Sequence, residues 1–159
     1  MTTWRERSPA QAAMLNPALM ALVTAAAASE YERADGGPMP WPLAYLVAPM
    51  VLHSGTRAVL PGSTRTHLAS WLSSHPVIHA GFARRAQGLA DLVREGVRFG
   101  RANSVLVVND LGGVSGTVNT RPARGTETGE LIRKAGFVGK WLTKVDQPAT
   151  AFVLLGVAL

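Results

Sequence analysis

The sequence predicts a mainly α-helical fold with one small β-hairpin, an α+β class. Several stretches repeat apolar residues at the 3.6-residue spacing of amphipathic or buried helices. Between them, Val105 to Val108 and Val114 to Val118 are β-branched runs that flank the turn sequence Asn109-Asp110-Leu111-Gly112-Gly113, which predicts a hairpin. Helices followed by a hairpin and a further helix are compatible with a winged-helix-like arrangement.

Two helices separated by a breaker are predicted before residue 54. Asn16-Pro17 is a good helix start, with Asn as the N-cap and Pro at the first helical position. The first helix is predicted to run from Pro17 to about Arg33. Ala34 to Pro40 contains Asp-Gly-Gly-Pro and should end it. Trp41 to His53 is apolar almost all round, which predicts a buried helix kinked at Pro49 and capped by His53.

A connector and two helices should follow. Ser54 to Ser63 is predicted to be a connecting segment. Thr64 or Thr66 is predicted to cap a short helix that ends near His75-Pro76. Pro76 to about Arg101 carries the longest helical pattern, and Gly96-x-x-x-Gly100 predicts close helix packing. Its exposed side should hold Arg84, Arg94, Arg98 and Arg101.

The last quarter is the most informative segment. After a polar linker, Arg121 to Gly129, the stretch Leu131 to Lys144 predicts an amphipathic helix with a small-residue notch at Gly139. Its apolar face should contain Leu131, Ala135, Val138, Leu142 and Val145. Its opposite face should contain Arg133, Lys140 and Lys144, with Phe137 and Trp141 between the two. Ala149 to Gly156 is fully apolar and is therefore predicted to be buried.

Length and composition predict one domain. Of 159 residues, 1–14 are expected to form a flexible arm and 15–159 the domain. Charged residues make up only 16%, which suggests a surface partly covered by another protein; the alternative is an Ala- and Arg-rich composition from a GC-rich genome. The net charge of +6 points weakly to nucleic acid or to an acidic partner.

Cysteine is absent, which excludes disulfides, thiolate catalysis and Cys-based metal sites and fits a cytoplasmic protein. Arg5 and Arg7 before the apolar stretch 12–28 imitate a secretory signal, but Asn16-Pro17 interrupts it. No uninterrupted apolar segment is long enough to predict a transmembrane helix.

No pattern of catalytic residues emerges. The four histidines, His53, His67, His75 and His79, have no carboxylate near them in sequence, so ordinary polar positions are favoured over a metal site. Asp91 and Glu95 alternate with arginines and predict exposed ion pairs. Gly112-Gly113-Val114-Ser115-Gly116 joins two strands, unlike a phosphate-binding loop. The sequence therefore predicts neither an enzyme nor a metal or cofactor site.

An ordered set of motifs extends along nearly the whole chain. They are Asn16-Pro17-Ala18, Pro42-Leu43, Pro49 to His53, Thr56-Arg57, Leu60-Pro61, Thr64-Arg65, Leu68, Trp71-Leu72, Gly81 to Ala86, Lys134-Ala135-x-Phe137-x-Gly139-Lys140-Trp141, Pro148-Ala149-Thr150 and Leu154 to Val157. Taken together, in this order and spacing, they resemble the middle component of bacterial three-component ABC-ATPase systems.

The resemblance implies a non-enzymatic adaptor that links an SMC/Rad50-like ABC ATPase, which senses invading DNA, to a toxic effector such as a nuclease in defence against phages and plasmids. The family has no established catalytic residues, so the resemblance implies none in this chain. The expected partner-binding residues are Thr56, Arg57, Thr64, Arg65, Arg133, Phe137, Lys140, Trp141 and Lys144.

The alternative is a winged-helix-like DNA-binding regulator, motivated by the net charge, the hairpin and the arginine-bearing helices. Direct DNA contact would use the basic residues of the last helix, Thr64-Arg65 and Arg84-Arg85, with Phe137 or Trp141 stacking on bases. A simpler interpretation makes these residues a solvated face with its aromatics in the core.

Overall fold

An alanine-rich helix lies at the centre of the computed structural model, which describes residues 16–117, 119, 121 and 123–158. This helix, α1, spans Pro17–Asp35. The predicted N-cap is confirmed, because Asn16 Oδ1 accepts the N–H of Ala18 at 2.8 Å. Gly36 ends the helix with a left-handed backbone. The residues of α1 that other elements cover are Met20, Ala21, Val23, Thr24, Ala25, Ala26, Ala27, Ala28 and Tyr31.

Six further α-helices follow α1 in the described part of the chain. They are α2 (Ala44–Leu52, after a 3-10 turn over Trp41–Leu43), α3 (Ser54–Ala58), α4 (Leu68–Ser74), α5 (Pro76–Ala102), α6 (Glu127–Leu142) and α7 (Pro148–Leu155). Helix α1 packs most extensively against α6 and α5, and α2 packs against both of those helices as well. The predicted burial of α2 is confirmed from Ala44 to Val51, and the helix continues through Pro49.

The predicted hairpin is present and gains a third strand. Strands β1 (Met39–Pro40), β2 (Leu106–Val108) and β3 (Gly113–Gly116) form an antiparallel sheet in the order β1-β3-β2. Val114 of β3 lies opposite both Met39 and Val108. The mainly α fold with a small β element is thus confirmed. The predicted breaker, however, contributes an edge strand, a position where proline is tolerated.

The sheet is part of the core. Leu106 and Val114 are buried, and their strands pack against α5 and α1 respectively. The turn is exposed, and its Leu111 is 95% accessible to solvent. Asn109 shapes this turn, because its Oδ1 accepts the N–H groups of Leu111 and Gly113 at 3.0 and 2.7 Å. Val118, in the predicted second strand, lies outside the described residues, as does the predicted arm over 1–14.

Glycines allow the elements around α1 to approach it closely. A Cβ at Gly96 would lie 2.5 Å from Met20 Cγ, and one at Gly116 would lie 2.7 Å from the Ala25 carbonyl oxygen. A Cβ at Gly139 would overlap the backbone of Ala27. The notch predicted at Gly139 and the close packing predicted at Gly96 and Gly100 are therefore confirmed. Helix α1 fills the space at Gly139 and Gly96, whereas Leu106 of β2 lies nearest to Gly100.

Three local predictions between residue 41 and the start of α4 are wrong. The expected connector begins with a helical turn, α3, because His53 Nδ1 accepts the N–H of Thr56 at 3.1 Å and so caps a new helix start. Neither Thr64 nor Thr66 caps α4, which starts at Leu68 without a side-chain cap. Trp41 is 42% exposed, because it lies in the 3-10 turn ahead of the buried helix.

The predicted burial of the last helix is also wrong. Helix α7 buries only Ala151 and Leu155, and Val153 is 78% exposed. The main contacts of α7 are with α4 and α5, and they leave Val153 largely exposed. Among the described residues, no helix combines the length and the apolar character needed to cross a bilayer.

Candidate functional site

Helix α6 presents the predicted surface. Thr126 Oγ1 accepts the Gly129 N–H at 3.0 Å and starts the helix within the predicted polar linker. The apolar face is confirmed, since α1 and α2 pack against the side that contains Leu131, Ala135, Val138 and Leu142. On the other side, Arg133 and Lys140 are exposed and Phe137 is half-buried. Arg133, Phe137 and Lys140 are called the outer α6 face below.

These three residues line one depression. It has a volume of about 280 Å³ and also contains Glu30 of α1, which forms an ion pair with Arg33. Aromatic and basic side chains around a shallow depression are typical of protein-binding surfaces. The structure therefore brings together three of the nine predicted partner-binding residues. Lys144 is exposed in the turn that follows α6.

Trp141 belongs to the core, contrary to its predicted place on the contact surface. Its indole N–H donates to the Thr66 carbonyl oxygen at 2.7 Å. Its ring meets that of Trp71 edge to face, with centroids 5.4 Å apart. The Trp71 N–H in turn donates to the Val59 carbonyl at 2.8 Å. The two tryptophans thus tie α6 and α4 to the segment between α3 and α4.

The other predicted residues divide into buried and accessible groups. Thr56 is fully buried, so it offers a partner no surface. Arg57 is half-buried, and its guanidinium donates to the Val51 carbonyl at 2.6 Å. Thr64 is half-buried and Arg65 is exposed. Partner binding in this segment stays a prediction, and it rests on the two arginines.

Arg57 lines a larger depression with two basic residues that were not among the predicted partner-binding residues. This groove has a volume of about 840 Å³ and lies where α2 and α3 meet α5 and the start of α6. His53 and Arg57 contribute from one side and Arg85 from α5. Apolar side chains complete its walls: Leu19, Leu52, Leu89 and Leu131. It is called the arginine groove below.

Burial and mutual repulsion shape the charges in the arginine groove. Burial lowers the pKa of His53, and the charges of Arg85 and Arg57 lower that pKa further. Burial also lowers the pKa of Arg85. The His53 Nδ1 atom accepts the Thr56 N–H, so the neutral ring carries its proton on Nε2. Sequence spacing could not reveal this cluster, because α3 and α5 bring its members together from distant positions.

The other residues considered from the sequence, the acidic residues of α5 and the remaining histidines, lie outside both depressions. Asp91 and Arg94 form the predicted exposed ion pair, with Oδ1 and Nη1 2.9 Å apart. His75 Nδ1 lies 2.8 Å from the Trp71 carbonyl oxygen, and His79 is exposed. Within the described ranges, no group of three or more His, Cys, Asp or Glu side chains is placed to hold a metal ion.

Comparison with known proteins places the chain in one family. No curated protein and no solved structure gives a significant match. The family model described as ABC-three component (ABC-3C) system Middle Component 3 matches residues 4–159. This range contains α1 to α7, the outer α6 face and the arginine groove. The chain therefore belongs to the Middle Component 3 family of ABC-three component systems.

Proposed function

We propose that this chain is a non-enzymatic adaptor that links an SMC-like ABC ATPase sensor to a toxic effector in defence against phages or plasmids. Membership of the middle-component family supports the assignment to a multi-component system. The outer α6 face is the observation that carries the adaptor role. It presents two exposed cations and one half-buried aromatic ring on a helix whose other side is fixed in the core.

The rigidity of α6 favours a recognition role. Close packing of Gly139 on the Ala27 backbone holds the inner side of the helix, and the Trp141 hydrogen bond to Thr66 holds its last turn. A side chain on a fixed helix loses less conformational freedom on binding than one on a mobile loop. Arg and aromatic residues are also enriched among the residues that dominate binding energy. The outer α6 face thus combines the chemistry and the preorganisation of a docking surface.

Charge reversal on this face tests the proposal. We expect Arg133→Glu with Lys140→Glu to prevent co-purification of the co-expressed ATPase and effector with the tagged chain. Both side chains are exposed, so the free energy of unfolding should change by less than about 1 kcal/mol.

A matched control makes the same change in charge on α5, at the exposed residues Arg84 and Arg101. Arg84→Glu with Arg101→Glu should leave assembly intact. Full assembly by a folded Arg133→Glu/Lys140→Glu variant would refute this surface. Trp141 is excluded from the test because its substitution would disturb the core.

The exposed arginines of α5 support a second candidate function, direct DNA binding by a regulator. At 3.6 residues per turn, Arg84, Arg94, Arg98 and Arg101 fall along one side of this long helix, and all four are exposed. Their contacts with phosphates would make affinity fall steeply with salt concentration. Under this alternative, Arg84→Glu with Arg101→Glu abolishes DNA binding by the isolated chain. No binding by the wild-type chain in low salt would rule the alternative out.

A further inference from the structure

The arginine groove contains two arginines whose charges are not paired within the described part of the chain. Arg57 and Arg85 form no ion pair with any carboxylate among the described residues. Both guanidinium groups donate to backbone carbonyls: Arg57 to Val51 at 2.6 Å and Arg85 to Ile78 at 2.7 Å. Glu127 stands at the edge of the groove, where it is exposed. An anion that entered the groove would therefore meet two guanidinium groups still available for charge pairing.

Arg85 is half-buried at the wall of the groove, and its contacts there leave its charge unpaired among the described residues. Its guanidinium lies 6.0 Å from the Phe82 ring centroid, and its Nε atom is buried without a hydrogen-bond partner among the described residues. Gly81 provides the space, because a Cβ there would collide with the end of the Arg85 side chain. A partly desolvated cation without a counter-charge is costly in the free protein. A bound carboxylate would offset that cost.

The walls of the groove select among anions. Leu19, Leu52, Leu89 and Leu131 bring apolar surface from four helices to a cavity of about 840 Å³. Nucleic-acid sites are much more polar and more uniformly basic than this groove. A peptide that alternates carboxylates with aliphatic side chains matches both the guanidinium groups and the leucines.

We propose that the arginine groove binds an acidic, leucine-rich linear segment of a partner protein within the three-component system. Carboxylates of the segment pair with Arg57 and Arg85, and its aliphatic side chains cover the four leucines. The groove is then a second contact site, separate from the outer α6 face. This inference rests on the proposed adaptor function, because the segment belongs to a component that the chain assembles with.

Gly88 offers a test that removes no existing contact. It lies exposed on α5 at the groove, and a Cβ at this position meets nothing within 4 Å. In the complex of tagged chain and co-expressed partners, Gly88→Glu should increase the partner dissociation rate about tenfold through charge repulsion. Gly88→Lys should leave that rate unchanged or lower it. Gly62→Glu, in equally open space away from the groove, should have no effect.

Equal dissociation rates for the Glu and Lys variants at position 88 would overturn the inference, because the occupant would then not be acidic. A second readout places the photo-crosslinker p-benzoylphenylalanine at position 88 of the assembled complex. We expect mass spectrometry to find it joined to a partner segment rich in Asp or Glu and Leu. Crosslinking to nucleic acid or to a basic segment, or none in an intact complex, would also overturn it.

The two proposals fail differently. If the wild-type chain recovers no partners, the adaptor function fails and the occupant of the groove fails with it. If the complex assembles and the Gly88 variants have the same partner dissociation rate as the wild type, only the proposed occupant of the arginine groove is wrong. The proposal for the outer α6 face is then unaffected.

Discussion

The packing around α1 and the arginine groove differ in how closely the helices approach each other. Around α1, glycines remove every side-chain atom so that backbones touch, as at Gly139 against Ala27 and Gly116 against Ala25. In the groove, long side chains from α3 and α5 keep the elements apart and leave a cavity of about 840 Å³. The first arrangement tolerates no added atom, whereas the second leaves space that a ligand can fill.

This difference separates stability from recognition in one small domain. The close contacts around α1 fix the position of α6 and therefore of the outer α6 face. The groove, by contrast, contains Arg57 and Arg85, which form no ion pair with another described residue and so gain no stability from one. Substitutions at the glycine contacts around α1 should therefore destabilise the protein, and substitutions in the groove should leave its stability nearly unchanged.

The largest effect is expected at Gly139. Gly139→Ala places a methyl group against the Ala27 backbone, which cannot rotate away, so we expect a loss of about 3 kcal/mol in the free energy of unfolding. Urea unfolding followed by circular dichroism measures it. Gly88→Ala is the matched control, since the added methyl group meets open space and should stabilise the helix by up to about 1 kcal/mol. Equal stabilities would contradict the account.

Trp141 extends the rigid region to the end of α6. Trp141→Phe removes the hydrogen bond to the Thr66 carbonyl and part of the contact with Trp71. We expect a loss of about 2 kcal/mol by chemical denaturation. Trp41→Phe is the control, because Trp41 is largely solvated and should lose less than about 1 kcal/mol. A smaller loss at Trp141 than at Trp41 would show that Trp141 is not part of this core.

His53 makes the stability of the groove region depend on pH. The folded protein lowers the His53 pKa from its usual 6.5, so the unfolded chain takes up the proton first on acidification. The stability that the neutral ring contributes is complete above that value. It is lost as pH falls below 6.5 toward the folded-state pKa, because a protonated Nδ1 cannot accept the Thr56 N–H.

Substitution of His53 by a cap that does not titrate tests this dependence. His53→Asn retains an acceptor for the N–H of Thr56, so the melting temperature should fall less between about pH 8 and pH 5 than in the wild type. His79→Asn, at an exposed position, should keep the wild-type slope. An unchanged slope for His53→Asn would mean that the His53 ring does not titrate in this range.

The smallest change in the free energy of unfolding is expected for Gly81→Ala, which can be compared directly with Gly139→Ala. Both glycines lie in helices and both would meet another atom if a Cβ were added, but at Gly81 that atom is the flexible end of Arg85. Because the guanidinium can move, Gly81→Ala should change the free energy of unfolding by less than about 1 kcal/mol. A loss as large as that of Gly139→Ala would show that Arg85 is as rigid as backbone.

The sequence predicted the elements whose signals are local. The Asn16-Pro17 start, the α5 pattern and the hairpin turn at Asn109 each depend on residues within a few positions of one another. The notch at Gly139 was predictable because glycine in the interior of a helix is costly unless a neighbour requires it. Its occupant, Ala27, was not predictable, since it lies more than a hundred residues earlier in the chain.

Long-range contacts explain the errors. The edge strand β1 forms only because Met39 meets Val114, and its own sequence is that of a breaker. Apolar composition alone predicted the burial of α7, although burial depends on how many neighbours reach each side. The site follows the same rule: Arg133, Phe137 and Lys140 share one helix and were predicted together, whereas Arg85 joins His53 and Arg57 only through the packing of α5.

The most direct test of the adaptor account is the mass of the assembled complex. The tagged chain would be co-expressed with the proteins encoded beside it, purified, and weighed by native mass spectrometry. The account predicts one stable species that contains this chain, an ABC ATPase and a third protein, and that is lost in the Arg133→Glu/Lys140→Glu variant. Recovery of this chain only by itself, as a monomer or homo-oligomer, would contradict the account.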